Sequence, residues 1–156
     1  MPAVTLLDAR TRGLDLPGLR EWARSASRES GDPHASRSYR YPYALVATHT
    51  RRVGVDLERI EYCDTAFAEL ICTREERSDP ACRADPDRYL TSVWSSKEAL
   101  SKALGDARRY EPARLESPRQ WPRRSAGCWR AMELGAPPGF VAWLCWEAHA
   151  STRPAA

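Results

Sequence analysis

The run from Asp85 to Gly105 admits one long helix, and it constrains how everything else in the chain can be arranged. Asp85-Pro86 opens it, because a carboxylate caps free N–H groups and proline is tolerated in a first turn. Gly105 stands where a left-handed C-terminal cap is expected. Between them Leu90, Val93, Trp94, Lys97, Leu100 and Leu104 fall on or near one stripe at helical spacing.

The flanking segments read mostly as strands and short helices. Val4–Leu7 is a short apolar strand. Asp15 caps a helix with Pro17 in its first turn, and Leu16, Leu19, Trp22, Ala23 and Ala26 recur at helical spacing up to Gly31-Asp32-Pro33. Residues 31–40, rich in Ser, Arg and Pro, read as a loop. Tyr43–Thr48 and Val53–Glu58 read as strands joined by a hairpin turn at His49-Thr-Arg-Arg52. Asp64 caps a short helix, and Thr73-Arg-Glu-Glu76 is a capping-box pattern that starts another. Residues 106–127 look like a long loop. Cys128–Leu134 and Phe140–Trp146 flank a Gly/Pro turn and form a closing antiparallel hairpin. The sequence shows no internal repeat. An antiparallel sheet packed with helices gives an α+β fold class.

At 156 residues the chain is expected to be a single domain over residues 1–149, with 150–156 as a disordered tail. A formal charge of +3 is too weak to argue for a nucleic-acid partner, but it suits a phosphorylated ligand or an acidic protein. No segment has the length and apolarity of a membrane span, and none reads as a signal peptide. The five cysteines are odd in number and form no CxxC pair, so they read as reduced thiols of a cytoplasmic protein. Arginine is favoured over lysine, and alanine and proline are abundant, as in GC-rich bacterial genomes.

That arginine bias makes the lysines informative. Of the 24 lysine and arginine residues two are lysines, Lys97 and Lys102, both on the long helix with Glu98 between them. A compact ammonium suits a point contact to phosphate, whereas guanidinium suits planar bidentate pairing. Trp94, Glu98 and Lys102, at i, i+4 and i+8, share one helix face; Lys97 lies beside it and faces Ser101. In Val53-Gly-Val-Asp-Leu-Glu58 the strand period puts Val53, Val55 and Leu57 on one face and Gly54, Asp56 and Glu58 on the other. Two carboxylates on an open strand face repel each other unless a cation sits there, and hard oxygen ligands favour Mg²⁺ with a bound phosphate. Taken singly, the strand pair also reads as a solvated face, and Glu98–Lys102 as an exposed helical ion pair with Trp94 as core.

Gly54-Val-Asp56-Leu-Glu58, followed some forty residues on by Trp94-Ser-Ser-Lys97-Glu98-Ala-Leu-Ser-Lys102, resembles the two signature motifs of the 4′-phosphopantetheinyl transferase superfamily. The tryptophan before the Lys-Glu pair, the D-x-E form and Cys72-Thr-Arg-Glu-Glu-Arg77 look like its surfactin-synthetase-activating branch. The resemblance covers roughly residues 38–148. It implies Mg²⁺-dependent transfer of phosphopantetheine from coenzyme A to a serine of an acyl or peptidyl carrier protein. It further implies that Asp56, Glu58 and Glu98 hold Mg²⁺, that Glu98 is the base, and that Lys97 and Lys102 contact coenzyme A phosphates. The resemblance thus implies Asp56, Glu98 and Lys102 as the catalytic set and Trp94 as packing.

The chain also departs from that pattern. The branch's Ser-His-Ser motif aligns with Ser38-Tyr39-Arg40, where tyrosine brings no charge, so Arg37 or Arg40 is left to supply it at the cofactor. Asp32 stands where the branch has a lysine and opposes a phosphate. The branch is normally a pseudo-dimer, so residues 1–52 would form a reduced N-terminal half and 53–149 the metal-site half, with a second subunit of a homo-oligomer as one source of the missing wall. His34, His49 and His149 read as surface residues. The alternative is a repurposed fold that acts on or binds carrier-tethered intermediates of a secondary-metabolite pathway without transferring phosphopantetheine.

Overall fold

The structure is a computed structural model that describes residues 1–105 and 110–148; the expected tail at 150–156 and His149 lie outside them. The first part of the chain runs through strand β1 (Ala3–Asp8), helix α1 (Leu16–Glu29), strand β2 (His34–Arg40) and strand β3 (Tyr43–His49). Then follow strand β4 (Val53–Arg59), three short helices α2 (Thr65–Ile71), α3 (Arg74–Ser78) and α4 (Pro80–Ala84), and the long helix α5 (Pro86–Leu104). Strands β5 (Ser125–Ala126), β6 (Trp129–Leu134) and β7 (Phe140–Glu147) close the fold. This is an α+β fold, as expected. The caps form where the sequence puts them: Asp15, Asp64 and Asp85 each accept an N–H of their own first turn, and Thr73 and Glu76 complete the capping box. Gly105 ends α5 at φ 85°, a conformation that penalises any side chain with a Cβ.

The strands form two antiparallel sheets, ordered β1-β3-β2 and β4-β7-β6-β5. Alternation along the strands sorts the core into layers. Leu45 and Ala47 of β3 meet Val53, Val55 and Leu57 of β4 and Phe140, Ala142 and Leu144 of β7, so the two sheets pack face to face. The outer face of the first sheet, through Ala44 and Val46, takes Leu19 and Ala23 of α1. The outer face of the second, through Trp143 and Cys145, takes Ala99, Leu100 and Ala103 of α5. The result is a helix–sheet–sheet–helix stack. No helix among the described residues is long and apolar enough to cross a membrane.

Several expectations need correction. Residues 34–40 are not a loop but strand β2, paired with β3 from His34↔His49 to Arg40↔Tyr43. Its apolar signal is missing because its inward positions are serines. Ser36 Oγ accepts the Val55 N–H at 3.0 Å, and Ser38 Oγ accepts the Leu57 N–H at 3.1 Å, so hydroxyls stitch β2 to β4 in place of a backbone ladder. The turn after β3 is likewise no hairpin: it carries the chain from the first sheet to the second. His34 is exposed as expected, whereas His49 is buried at the end of β3. Helix α4, a short helix capped by Asp79, adds to the expected elements. Residues 110–127 are far from structureless, with Ser117, Pro118 and Trp121 buried against α5. The topology also repeats although the sequence does not: β1-α1-β2-β3 and β4-α5-β6-β7 each place a helix after the first strand and order the strands first, third, second.

Candidate functional site

Gly54 decides how the site is built. A Cβ there would lie 1.9 Å from the Ala99 carbonyl oxygen and 2.5 Å from the Ala103 nitrogen, so glycine lets α5 lie directly on β4. Asp56 and Glu58 share that strand face and therefore lie under the helix. They are buried, which corrects the expected open strand face.

The helix face meets them in reverse order. Lys102 Nζ donates to Asp56 Oδ1 at 2.7 Å and to the Val55 carbonyl at 3.1 Å. Ser38 Oγ also donates to Asp56 Oδ1, at 3.0 Å. Asp56 Oδ2 is buried and has no hydrogen-bond partner among the described residues. Glu58 accepts both arms of the Arg40 guanidinium at 2.6 Å, a bidentate pair, and the Trp94 indole N–H at 3.2 Å. Trp94 is thus a donor to this carboxylate as well as a packing residue. Burial, and next the charge of Asp56, push the Glu58 carboxyl up to about 6 against the opposing pull of Arg40. Glu98, half-buried, accepts a hydrogen bond from the Tyr110 hydroxyl. The Tyr110 phenol is pushed up by burial first, and then by its bond to Glu98 and the charges of Glu98 and Asp56.

Beside this row opens a cleft of about 630 Å³, walled by Arg24 of α1, Arg37 and Tyr39 of β2, and Lys102 and Gly105 at the end of α5. Among the described residues no carboxylate lines it, Asp32 included. The Arg37 guanidinium is steadied by a 2.6 Å bond to Ser27 Oγ, and that of Arg24 is paired with Glu21 at 2.7 Å.

The structure therefore brings together Arg37, Tyr39 and Lys102 in one cleft, with Asp56, Glu58 and Arg40 along the adjoining row; Glu98 lies on the helix face between Trp94 and Lys102, and its hydrogen bond goes to Tyr110. Arg40 is turned away from the cleft to neutralise Glu58. Lys97 departs from expectation altogether. It is fully buried, and its Nζ donates to Glu76 Oε2 at 2.6 Å, the Ile71 carbonyl at 2.6 Å and the Pro112 carbonyl at 2.9 Å. Consecutive helical residues are turned by about 100°, so Lys97 and Glu98 cannot both face the strand. Burial holds the Lys97 ammonium below its ordinary value, opposed by the Glu76 carboxylate.

Three participants were not found from the sequence. Arg24 carries no motif and only happens to face the cleft. Tyr110 sits in an aperiodic Pro/Arg-rich stretch. The sequence gives Glu76 a capping role alone, and its second role as partner of Lys97 appears only in three dimensions.

Among the described residues no three His, Cys, Asp or Glu side chains are gathered tightly enough to hold an ion as they stand. The donor set nevertheless fits a hard cation. A buried carboxylate oxygen with no hydrogen-bond partner is costly, and two neighbouring buried carboxylates gain from a shared positive charge.

No curated protein matches the sequence. A family model, that of the 4′-phosphopantetheinyl transferase superfamily, matches residues 52–133. That is more than half of the 156 residues, and it takes in strand β4, helix α5 and the strap bearing Tyr110. With the carboxylate row and the basic cleft lying inside or against the matched span, the chain belongs to the 4′-phosphopantetheinyl transferase superfamily.

Proposed function

We propose that the protein transfers the 4′-phosphopantetheine group of coenzyme A to a serine hydroxyl of an acyl or peptidyl carrier protein, in the cytoplasm, with Mg²⁺ held by Asp56, Glu58 and Glu98. One observation carries the reading: among the described residues, a carboxylate row with a buried Asp56 oxygen that has no hydrogen-bond partner borders a cleft whose charged lining is basic. A pyrophosphate dianion suits the second, and a divalent cation the first. The five free thiols accord with a reducing compartment.

In this reading Arg37 and Arg24 hold the nucleotide end of coenzyme A, and Lys102, bridging row and cleft, faces the pyrophosphate. The serine oxygen attacks the phosphorus that bears the pantetheine arm, and the bond from that phosphorus to the bridging oxygen breaks. 3′,5′-ADP leaves with the electron pair, and the serine proton passes to Glu98 directly or through one water. Mg²⁺, when bound, neutralises charge on the pyrophosphate. Lys102 stabilises the charge that develops as the bond breaks. Lys97 serves as a structural anchor, and Trp94 and Arg40 orient Glu58.

The test is to incubate the protein with coenzyme A, Mg²⁺ and several apo carrier proteins and weigh the carriers intact. A gain of one phosphopantetheine group on a carrier is the expected result. No gain on any carrier, together with no binding of coenzyme A, would leave the repurposed-fold reading in its place.

A further inference from the structure

Three consecutive residues of α5 tie down one strap of chain. Ser96 Oγ lies 2.6 Å from Ser117 Oγ, Lys97 Nζ holds the Pro112 carbonyl at 2.9 Å, and Glu98 accepts the Tyr110 hydroxyl. Glu76, the buried partner of Lys97, adds a fourth tie, accepting the Ser117 N–H at 2.7 Å. Buried side chains thus hold residues 110–117 against a single helical turn, and Tyr110 sits on the neighbour of the anchoring lysine.

The Tyr110 bond is also the hydrogen bond that the Glu98 side chain makes among the described residues. Left to itself, a half-exposed glutamate on a helix samples several rotamers. A tyrosine hydroxyl fixed from the strap removes that freedom and leaves the second carboxylate oxygen without a hydrogen bond among the described residues. Tyr110 is poorly suited to act as the proton carrier itself, because a phenol bonded to a carboxylate holds its proton.

We propose that Tyr110 is a positioning residue: its hydroxyl, carried on a strap anchored by Lys97, fixes the Glu98 carboxylate for the cation and for the incoming serine. This inference rests on the transferase reading for its second part. Its first part, orientation of Glu98 toward a cation, stands independently.

The variant is Tyr110→Phe, which deletes one oxygen. Two measurements decide: steady-state transfer to an apo carrier, and calorimetric titration of Mg²⁺ into the protein mixed with coenzyme A. With a charge-assisted hydrogen bond lost, kcat should fall about tenfold while KM for coenzyme A stays within about twofold, and Mg²⁺ affinity should fall about fivefold. Thermal unfolding should be little changed. Tyr110→His, which returns a donor, should recover part of both losses. Unchanged kcat and Mg²⁺ affinity in Tyr110→Phe would overturn the proposal, and so would losses fully explained by unfolding. If the wild-type protein transfers nothing to any carrier, the transferase reading falls by itself and the Mg²⁺ titration still decides the role of Tyr110. Absence of any Mg²⁺ binding by the wild type overturns both.

Discussion

The two β-α-β-β units of this chain share a topology and differ in what their helices press against. In the first, α1 lays Leu19 and Ala23 on Ala44 and Val46, an ordinary apolar helix–sheet seam. In the second, α5 lies on a strand that offers glycine and two carboxylates, and it answers with Lys102 and Trp94. The apolar half of that second seam is moved onto β7, where Trp143 and Cys145 meet Ala99 and Leu100. One scaffold thus provides a plain wall in one copy and a charged row in the other. The plain copy still contributes to the cleft, through Arg24, Arg37 and Tyr39. Under the proposed function this difference is a division of labour: the second unit would carry the chemistry, and the first would grip the cofactor.

The sharpest way to break that division is to damage each unit separately. Glu98→Ala should lower turnover on the order of a thousandfold, the scale of a lost general base, while coenzyme A affinity changes little. Steady-state kinetics and calorimetry on the same preparation check this. If affinity collapses while turnover at saturation survives, the roles of the units are reversed.

Next in size is Glu76→Ala. It strands the fully buried Lys97 ammonium without its carboxylate, and removing one partner of a buried pair costs about 3–5 kcal/mol. Chemical denaturation should show it. A loss under about 1 kcal/mol would mean that the lysine escapes to water and the strap is not anchored as described.

The Glu58 carboxyl gives a smaller effect with a definite sign. Its proton is held more tightly in the folded chain, at about 6 against an ordinary 4.5, with burial the leading cause and the charge of Asp56 the second. A raised carboxyl binds more protons folded than unfolded, so its contribution to stability falls as pH rises through that window. Without divalent cations, wild type should therefore lose about 2 kcal/mol relative to Glu58→Gln between pH 4.5 and pH 6 and above. Denaturation of both proteins across that range tests it. A difference that is flat or of opposite slope would show that Arg40 outweighs burial.

Much of this was legible before the structure. The long helix was written in its two caps and its stripe, and β4 in its strict alternation, so the shared faces of Asp56 with Glu58 and of Trp94, Glu98 and Lys102 followed from period, and the structure pairs Lys102 with Asp56 and Trp94 with Glu58. Strand β2 was not legible, because its inward residues are serines that bond to backbone rather than apolar residues that announce a face. The fate of Lys97 was hidden for a different reason. Adjacency in sequence suggested a shared role with Glu98, but the helical turn sends it to a partner 21 residues upstream, a contact no local pattern encodes. Tyr110 was invisible because the strap that carries it has no period at all.

Within the first unit the expected effects are more modest. Arg37→Ala should weaken coenzyme A binding about tenfold with turnover at saturation largely kept, as for a lost charge-assisted contact to a phosphate. Tyr39→His should tighten binding by up to about tenfold, because imidazole is a better phosphate partner than phenol. The nearby Arg20, whose guanidinium lies 5.7 Å from the Tyr39 ring, would limit the gain if the imidazole is charged. If Tyr39→His instead weakens binding, tyrosine is a refit of the cofactor wall and not a weakened grip.

The most direct measurement is a crystal structure with coenzyme A and Mg²⁺ bound. The account predicts the nucleotide end in the cleft against Arg24 and Arg37, the pyrophosphate at Lys102, and one cation reached by Asp56, Glu58 and Glu98. A ligand seated elsewhere, or a Glu98 carboxylate farther from Asp56 than a bridging water can span, would contradict it.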